Sequence, residues 1–226
     1  MKALIVAAGS PPDRAELDRA WPGWASGLDL VVAADAGAET AATLGLRVDL
    51  AVGDFDSISP DALARLRAAG VTIDTAPAAK DESDTELAIR AALDRGADEL
   101  TIVGGLGGRV DHLLADVGLL AMPALAGRRA ELLDGRSRVR LLRGPGRLDL
   151  AGRPGDLVSL LPLGPGVDGV TTEGLAWALD DEPLPMGPAR GLSNVRTAQT
   201  AEVQLQSGLL LVVETIAPPT SARLPR

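Results

Sequence analysis

Leu100-Thr101-Ile102-Val103-Gly104-Gly105-Leu106-Gly107-Gly108-Arg109-Val110-Asp111-His112 reads as a strand, a glycine-rich turn and the start of a helix. The run 100–103 is too apolar for a strand with one wet face and fits a strand covered on both sides. Asp111–Leu120 then follows a helical spacing. One strand–turn–helix unit needs neighbours to pair with, and the chain supplies them. Ala3–Ala8, Leu30–Ala34, Leu50–Val52 and Val71–Asp74 read as further buried strands. Helical stretches lie between them at Ala38–Leu44, Asp61–Ala69 and Asp84–Asp94. Strands alternating with helices predict parallel βαβ units, an α/β domain with helices covering the sheet.

The pattern changes near Asp134. After Glu131-Leu132-Leu133 come short strand-like runs at Arg138–Leu142, Arg147–Leu150, Leu157–Leu163, Ala176–Leu179, Ala201–Leu205 and Leu209–Glu214. Turn sequences such as Gly144-Pro145-Gly146, Arg153-Pro154-Gly155 and Gly164-Pro165-Gly166 punctuate them, with no long helical period. This predicts a small antiparallel sandwich or barrel. The expected organisation is an α/β domain over 1–135 followed by an antiparallel β domain over 136–226. The Pro-rich end, Ala217–Arg226, is expected to fray.

The net charge is −9, against the clustered positive charge that a nucleic-acid surface needs. It is equally unfavourable for a polybasic membrane contact. The apolar start, Met1–Gly9, is short and runs into Ser10-Pro11-Pro12-Asp13, so a buried first strand is the better reading than a signal peptide. No uncharged apolar run of about 18 residues suggests a membrane span. The chain has no cysteine, which excludes thiolate chemistry and fits a reducing, cytoplasmic setting.

Rare residue types collect in three acid-rich segments. The single Phe, Phe55, lies in Gly53-Asp54-Phe55-Asp56-Ser57, and the single His, His112, closes the glycine-rich segment. Lysine occurs only at positions 2 and 80, and Lys80 opens Lys80-Asp81-Glu82-Ser83-Asp84. Asp54 and Asp56 follow a strand; in extended chain both point the same way, at the strand end where α/β sheets bind ligands. Such a carboxylate pair suits Mg²⁺, though Asp in a polar turn is the plainer account. Ser83 with Glu86 matches a capping box, which explains those two residues by structure alone. Lys80, Asp81 and Asp84 remain as functional candidates. The glycine turn lets backbone N–H groups approach a phosphate, and Arg109 can fork onto phosphate oxygens. Carboxylates gathered in one cleft repel: at ~4 Å and an effective dielectric of ~20, each like-charge pair costs about 4 kcal/mol. A divalent metal, Lys80 and Arg109 would offset that, and phosphoryl-type transfer uses those parts.

With these motifs in this order, the chain resembles the thiamine pyrophosphokinases. That family carries Gly-Asp-Phe-Asp-Ser, then Lys-Asp-x-Thr-Asp, then Gly-Gly-x-Gly-Gly-Arg-x-Asp-His; here they stand at 53–57, 80–84 and 104–112. Ala34-Asp35-Ala36-Gly37-Ala38, Gly174-Leu175-Ala176-Trp177-Ala178-Leu179 and Gly191-Leu192-Ser193-Asn194 also look like family segments. The resemblance implies an ATP-binding catalytic α/β domain and a thiamine-binding β-sandwich. It implies a homodimer with thiamine held between the α/β domain of one subunit and the sandwich of the other. The implied reaction is thiamine plus ATP giving thiamine diphosphate plus AMP, with Mg²⁺.

By match, Asp54, Asp56, Asp81, Asp84, Arg109 and Asp111 are the catalytic candidates, with Asp54, Asp56 and Asp84 holding metal. Asp35, Lys80, Gly105, Gly107, Gly108, Arg109 and His112 would contact ATP. Ser193, Asn194 and Trp177 would face thiamine, with a place in the core as the other reading of the Trp177 indole. Either Asp111 or Asp81 could take or orient the hydroxyl proton. The chain departs from the family at Ser83 for Thr, Ala36 for Gly and Asp116 where relatives often have Asn. It also has Leu209-Leu210-Leu211 where some relatives have an aromatic. The alternatives are a pyrophosphokinase for a pterin alcohol and a non-catalytic thiamine or nucleotide sensor.

Overall fold

The computed structural model describes residues 1–77 and 79–218. The chain divides into two compact units, Met1–Gly135 and Arg136–Arg226. The tail expected to fray lies, beyond Pro218, outside the described residues.

The first unit runs β1 (Lys2–Val6), α1 (Arg14–Ala20), β2 (Leu30–Ala34), α2 (Gly37–Thr43), β3 (Leu50–Gly53), α3 (Pro60–Ala68), β4 (Thr72–Thr75), α4 (Asp84–Asp94), β5 (Glu99–Val103), α5 (Val110–Leu119) and β6 (Arg129–Leu133). Its strands pair in the order β6-β5-β1-β2-β3-β4, all parallel. β1 and β2 are buried on both faces, as their unbroken apolar runs require. One face packs Leu4, Val6, Val31 and Ala33 against Leu17 of α1, Ala38 and Ala41 of α2 and Ala62 of α3. Ala3, Ile5 and Val32 point the other way and are equally buried. α4 packs on β1, β2 and β3, burying Ala88, Ile89, Ala91 and Ala92.

α1 is an element that the apolar pattern alone does not announce. Asp13 caps it, accepting a hydrogen bond from the Glu16 N–H at 2.8 Å. α4 begins on Ser83, whose hydroxyl accepts from the Glu86 N–H at 3.2 Å. The expected capping box is only half made, because the Glu86 carboxylate takes Arg90 instead, at 2.7 and 2.9 Å.

The second unit holds β7 (Ser137–Arg143), β8 (Gly146–Ala151), β9 (Leu157–Pro162), β10 (Gly166–Glu173), β11 (Glu182–Pro185), β12 (Asn194–Val195), β13 (Thr200–Leu205) and β14 (Leu209–Thr215). They form two antiparallel layers, β12-β9-β14-β7 and β11-β10-β13-β8. Leu142, Val158, Leu160, Leu210 and Val212 of one layer meet Leu150, Val170, Leu184, Val203 and Leu205 of the other in a shared core. The fold is therefore α/β with a parallel sheet, followed by an antiparallel sandwich. Ala176–Leu179 is not a strand: it is a loop, and β10 takes the place that the sequence pattern missed.

Among the described residues, no helix is long and apolar enough to cross a membrane.

Candidate active site

β1 lies between β5 and β2, so the chain order reverses there. Loops after β1 and β5 leave the sheet beside one another, and the crevice between them is where open α/β sheets take ligands. Gly9 and Ser10 follow β1, and Gly104–Gly108 follow β5. The two loops touch: a Cβ on Gly9 would collide with the Gly104 carbonyl oxygen. Gly104 itself has φ 80°, and a Cβ there would sit 2.6 Å from the Ala7 carbonyl oxygen. A Cβ on Gly107 would lie 2.9 Å from Ser10 Cβ. The glycines thus serve close loop packing as well as any ligand. Gly9 and Ser10 belong to this crevice, and a Gly-Ser pair directly after the first strand was the signal available for them.

The acidic residues gather beside the crevice, at the ends of β2 and β3 and the start of α4. Asp35, Asp54 and Asp84 each offer a carboxylate oxygen, and these oxygens lie within 4.8 Å of one another. Lys80 Nζ is 2.9 Å from Asp84 Oδ1 and 3.6 Å from Asp54 Oδ2. Its hydrogen bond to Asp84, then the charges of Asp84 and Asp54, raise the Lys80 pKa against burial and keep it cationic. Burial, then the neighbouring Asp84, Asp54 and Asp56 charges, raises the Asp35 pKa against a backbone hydrogen bond from Ala36. The Asp56 N–H bond, then Lys80, lowers that of Asp54. Among the described residues, Asp35 Oδ1 is buried without a hydrogen-bond partner. Three carboxylates and one ammonium leave two negative charges uncompensated when all are ionised. A hard divalent cation fits that donor set in charge and in ligand chemistry.

The sequence reading groups Asp56 with Asp54 and Asp84, whereas the structure groups Asp35 with them. Phe55 is the reason. Its φ is 60°, so 54–56 turns rather than runs extended, and Asp56 stays beside Asp54, its N–H bonded to Asp54 Oδ1 at 3.2 Å, without joining the triad. Phe55 packs against the first unit's core, and Asp56 is exposed, accepting from the Ser57 hydroxyl at 2.8 Å. Asp81 is exposed and lies outside the carboxylate triad. Ala36, where a glycine was expected, has φ −61°, so its methyl is unstrained.

Arg109 and Asp111 are both exposed and grip one another, at 2.6 and 3.1 Å. The Arg109 hydrogen bond leads in lowering the Asp111 pKa to about 2. While this pair is made, Asp111 holds Arg109 in place. His112 is exposed, its backbone N–H bonded to Asp111 Oδ1 at 3.0 Å. Gly105 is buried, whereas Gly107 and Gly108 lie nearer the surface.

In the second unit, Trp177 is 46% exposed, so the core reading of its indole does not hold. Asn194 is buried, and its amide grips Trp177: Oδ1 accepts from the Trp177 N–H at 3.0 Å, and from the Val195 N–H at 2.9 Å, and Nδ2 donates to the Trp177 carbonyl at 2.6 Å. Ser193 is exposed at φ 58°, its N–H bonded to the Ser159 hydroxyl at 3.0 Å.

Two family models match the chain in order. "Thiamin pyrophosphokinase, catalytic domain" covers residues 24–131, and "Thiamin pyrophosphokinase, vitamin B1 binding domain" covers residues 147–210. Thiamine pyrophosphokinase of Bacillus subtilis is 26% identical over 214 residues, 94% of this chain and 98% of that protein. A crystal structure of a thiamin pyrophosphokinase family protein from Enterococcus faecalis superposes with a TM-score of 0.81 at 30% identity, covering 96% of this chain and all of that one. The Bacillus subtilis crystal structure gives 0.80 at 25% identity, over 95% of this chain and 99% of that one. Both matched models lie within the two units that the coordinates separate, one in each. The chain belongs to the thiamin pyrophosphokinase family.

Proposed function

We propose that this chain transfers pyrophosphate from ATP to the primary hydroxyl of thiamine, giving thiamine diphosphate and AMP. The observation that carries the reading is the Asp35, Asp54 and Asp84 triad, with Lys80 against it, beside the glycine-lined crevice at the sheet's switch point. Those three carboxylates would hold Mg²⁺, which in such reactions neutralises phosphate oxygens as charge moves onto the leaving group. The hydroxyl oxygen forms a bond to the β-phosphorus of ATP as its O–H bond breaks, the proton passing to the Asp81 or Asp111 carboxylate or to solvent. The bond from that phosphorus to the oxygen bridging the α-phosphate breaks, and AMP leaves with the electron pair. Lys80 is positioned to hold phosphate oxygens by charge. Arg109 would exchange Asp111 for a phosphate, a stronger bidentate partner. Ser193 and Trp177 are the proposed thiamine-facing residues, with Asn194 setting the position of Trp177. A cytoplasmic homodimer is the form that the family resemblance implies.

The test is to supply ATP and Mg²⁺ with thiamine or a hydroxymethylpterin and identify the products by mass. AMP with thiamine diphosphate is expected. Turnover of the pterin alone, or ADP with thiamine monophosphate, would reject the reading. Asp35→Asn and Asp54→Asn should each lower AMP formation on the order of 100-fold and raise the Mg²⁺ requirement. Asp56→Asn should cost far less, and equal losses at Asp35 and Asp56 would return Asp56 to the metal site.

A further inference from the structure

The second unit contains a charged cluster that the proposed chemistry does not use. Glu214 on β14 is buried and points between the two layers, on the same side as Leu210 and Val212. Its Oε2 accepts from Arg138 Nε at 2.8 Å and Arg140 Nη2 at 2.7 Å. Its Oε1 accepts from Arg138 Nη2 at 2.9 Å and Arg196 Nη2 at 3.0 Å. Arg196 is only 2% exposed, and its Nη1 donates to the Leu150 carbonyl on β8 at 2.8 Å. Burying such charges is expensive, and well-packed apolar side chains of similar volume usually stabilise a fold as well or better. Stability alone is therefore a poor reason for the cluster, whereas fixing one geometry is an attested use of buried ion pairs.

The geometry it fixes can be followed along the chain. The Arg196 backbone is held on both sides, its N–H to the Asp156 carbonyl and its carbonyl by the Gly155 N–H, each at 2.8 Å. Arg196 bridges Leu175 in antiparallel fashion. The Ala176 N–H bonds the Val195 carbonyl at 2.8 Å, and the Thr197 N–H bonds the Gly174 carbonyl at 2.9 Å. Two residues before Arg196, the Asn194 amide grips both backbone groups of Trp177. An exposed indole is thus carried on a loop whose backbone is tied to a segment anchored in the interior.

We propose that Arg196, held by Glu214, is a positioning residue for substrate binding, acting through Asn194 to set the exposed face of Trp177. The proposal rests on the reading of the Trp177 loop as thiamine-facing. Arg196 touches no substrate; it determines where the loop that does so stands.

The experiment compares full-length wild type with Arg196→Met, Arg196→Lys and Trp177→Ala, each checked for folding by thermal melt. Hydrogen exchange without ligand reads the link itself. In Arg196→Met the Ala176, Trp177 and Thr197 amides should exchange about tenfold faster. Steady-state kinetics should show a thiamine KM raised about fivefold, with kcat and the ATP KM within about twofold of wild type. Arg196→Lys, which keeps the charge but not the two guanidinium nitrogens that bond Leu150 and Glu214 separately, should fall between. If Arg196→Met does not fold, the Lys variant decides: faster exchange with a raised thiamine KM supports positioning, and wild-type behaviour overturns it. Unchanged exchange in 174–179 overturns the proposal whatever the kinetics. An equal rise in thiamine and ATP KM also overturns it, because a general loosening would do that. Trp177→Ala tests the underlying reading separately: an unchanged thiamine KM there rejects the loop as thiamine-facing while leaving the exchange result to stand on the link alone.

Discussion

Asp116 sits under the glycine-rich turn, where a Cβ on Gly105 would come within 3.0 Å of its Oδ2. It is 8% exposed, and burial pushes its carboxyl up to about 6, against a Thr85 hydrogen bond and the His112 charge. Thr85 is next to Asp84, so this one carboxyl joins the turn to the helix start that carries the acidic triad. Between its unfolded value, 3.8, and about 6, the folded chain holds the proton that the unfolded chain has released. Stability from this group therefore falls as pH rises through that window, by about 3 kcal/mol at most. Asp116→Asn removes the effect. Its Tm relative to wild type should rise by about 5 °C between pH 4.5 and pH 7.5. A Tm difference that stays flat over that range would mean that Asp116 does not titrate there. Asp54, Asp84 and Lys80 were legible in the sequence as members of one site, because their motifs follow successive strands of a parallel sheet. That Asp35 lies with Asp54 and Asp84 was not legible, since it depends on β2 lying beside β3.

α4 links the site to the sheet: Asp84 opens it, and its apolar side packs on β1, β2 and β3. Among the described residues Ser83 alone caps its N-terminus through a side chain, because Glu86 is committed to Arg90. Ser83→Ala should therefore lower stability by about 1 kcal/mol. It should also raise the Mg²⁺ concentration needed for half-maximal rate, as a frayed first turn lets Asp84 move. Chemical denaturation and a metal titration of the variant check both effects, and an unchanged pair of curves would place the start of α4 under the control of packing alone. Elements were well marked wherever a single periodicity ran unbroken; β2 and α4 have the bounds their patterns predict. α1 hid because its seven residues bury only Leu17, leaving almost no apolar stripe, although Asp13 and Glu16 carry the cap signature. β10 hid because its register shifts between Val167 and Val170, which breaks the alternation that announces a strand. The apolar letters of 176–179 misled for the opposite reason: Ala176, Trp177 and Ala178 are exposed on a loop held by the Asn194 amide.

At the scale of the whole molecule, two units with separate cores carry a shared net charge of −9. The two substrates of the proposed reaction have opposite charge, since the thiazolium of thiamine is cationic and ATP is anionic. A field of one sign therefore acts on them in opposite senses. It would draw thiamine in and oppose ATP, for which Lys80 and Arg109 are the proposed local relief. Salt should expose the difference, because the Debye length falls from about 30 Å at 0.01 M to about 8 Å at 0.15 M. Over that range kcat/KM for thiamine should fall several-fold, whereas kcat/KM for ATP should hold steady or rise. The measurement is a pair of initial-rate series at constant free Mg²⁺, each with the other substrate saturating. Parallel declines would show that salt acts on the catalytic cluster itself. A thiamine series insensitive to salt would show that apolar contact, of the kind an exposed Trp177 offers, outweighs the field of the acidic chain.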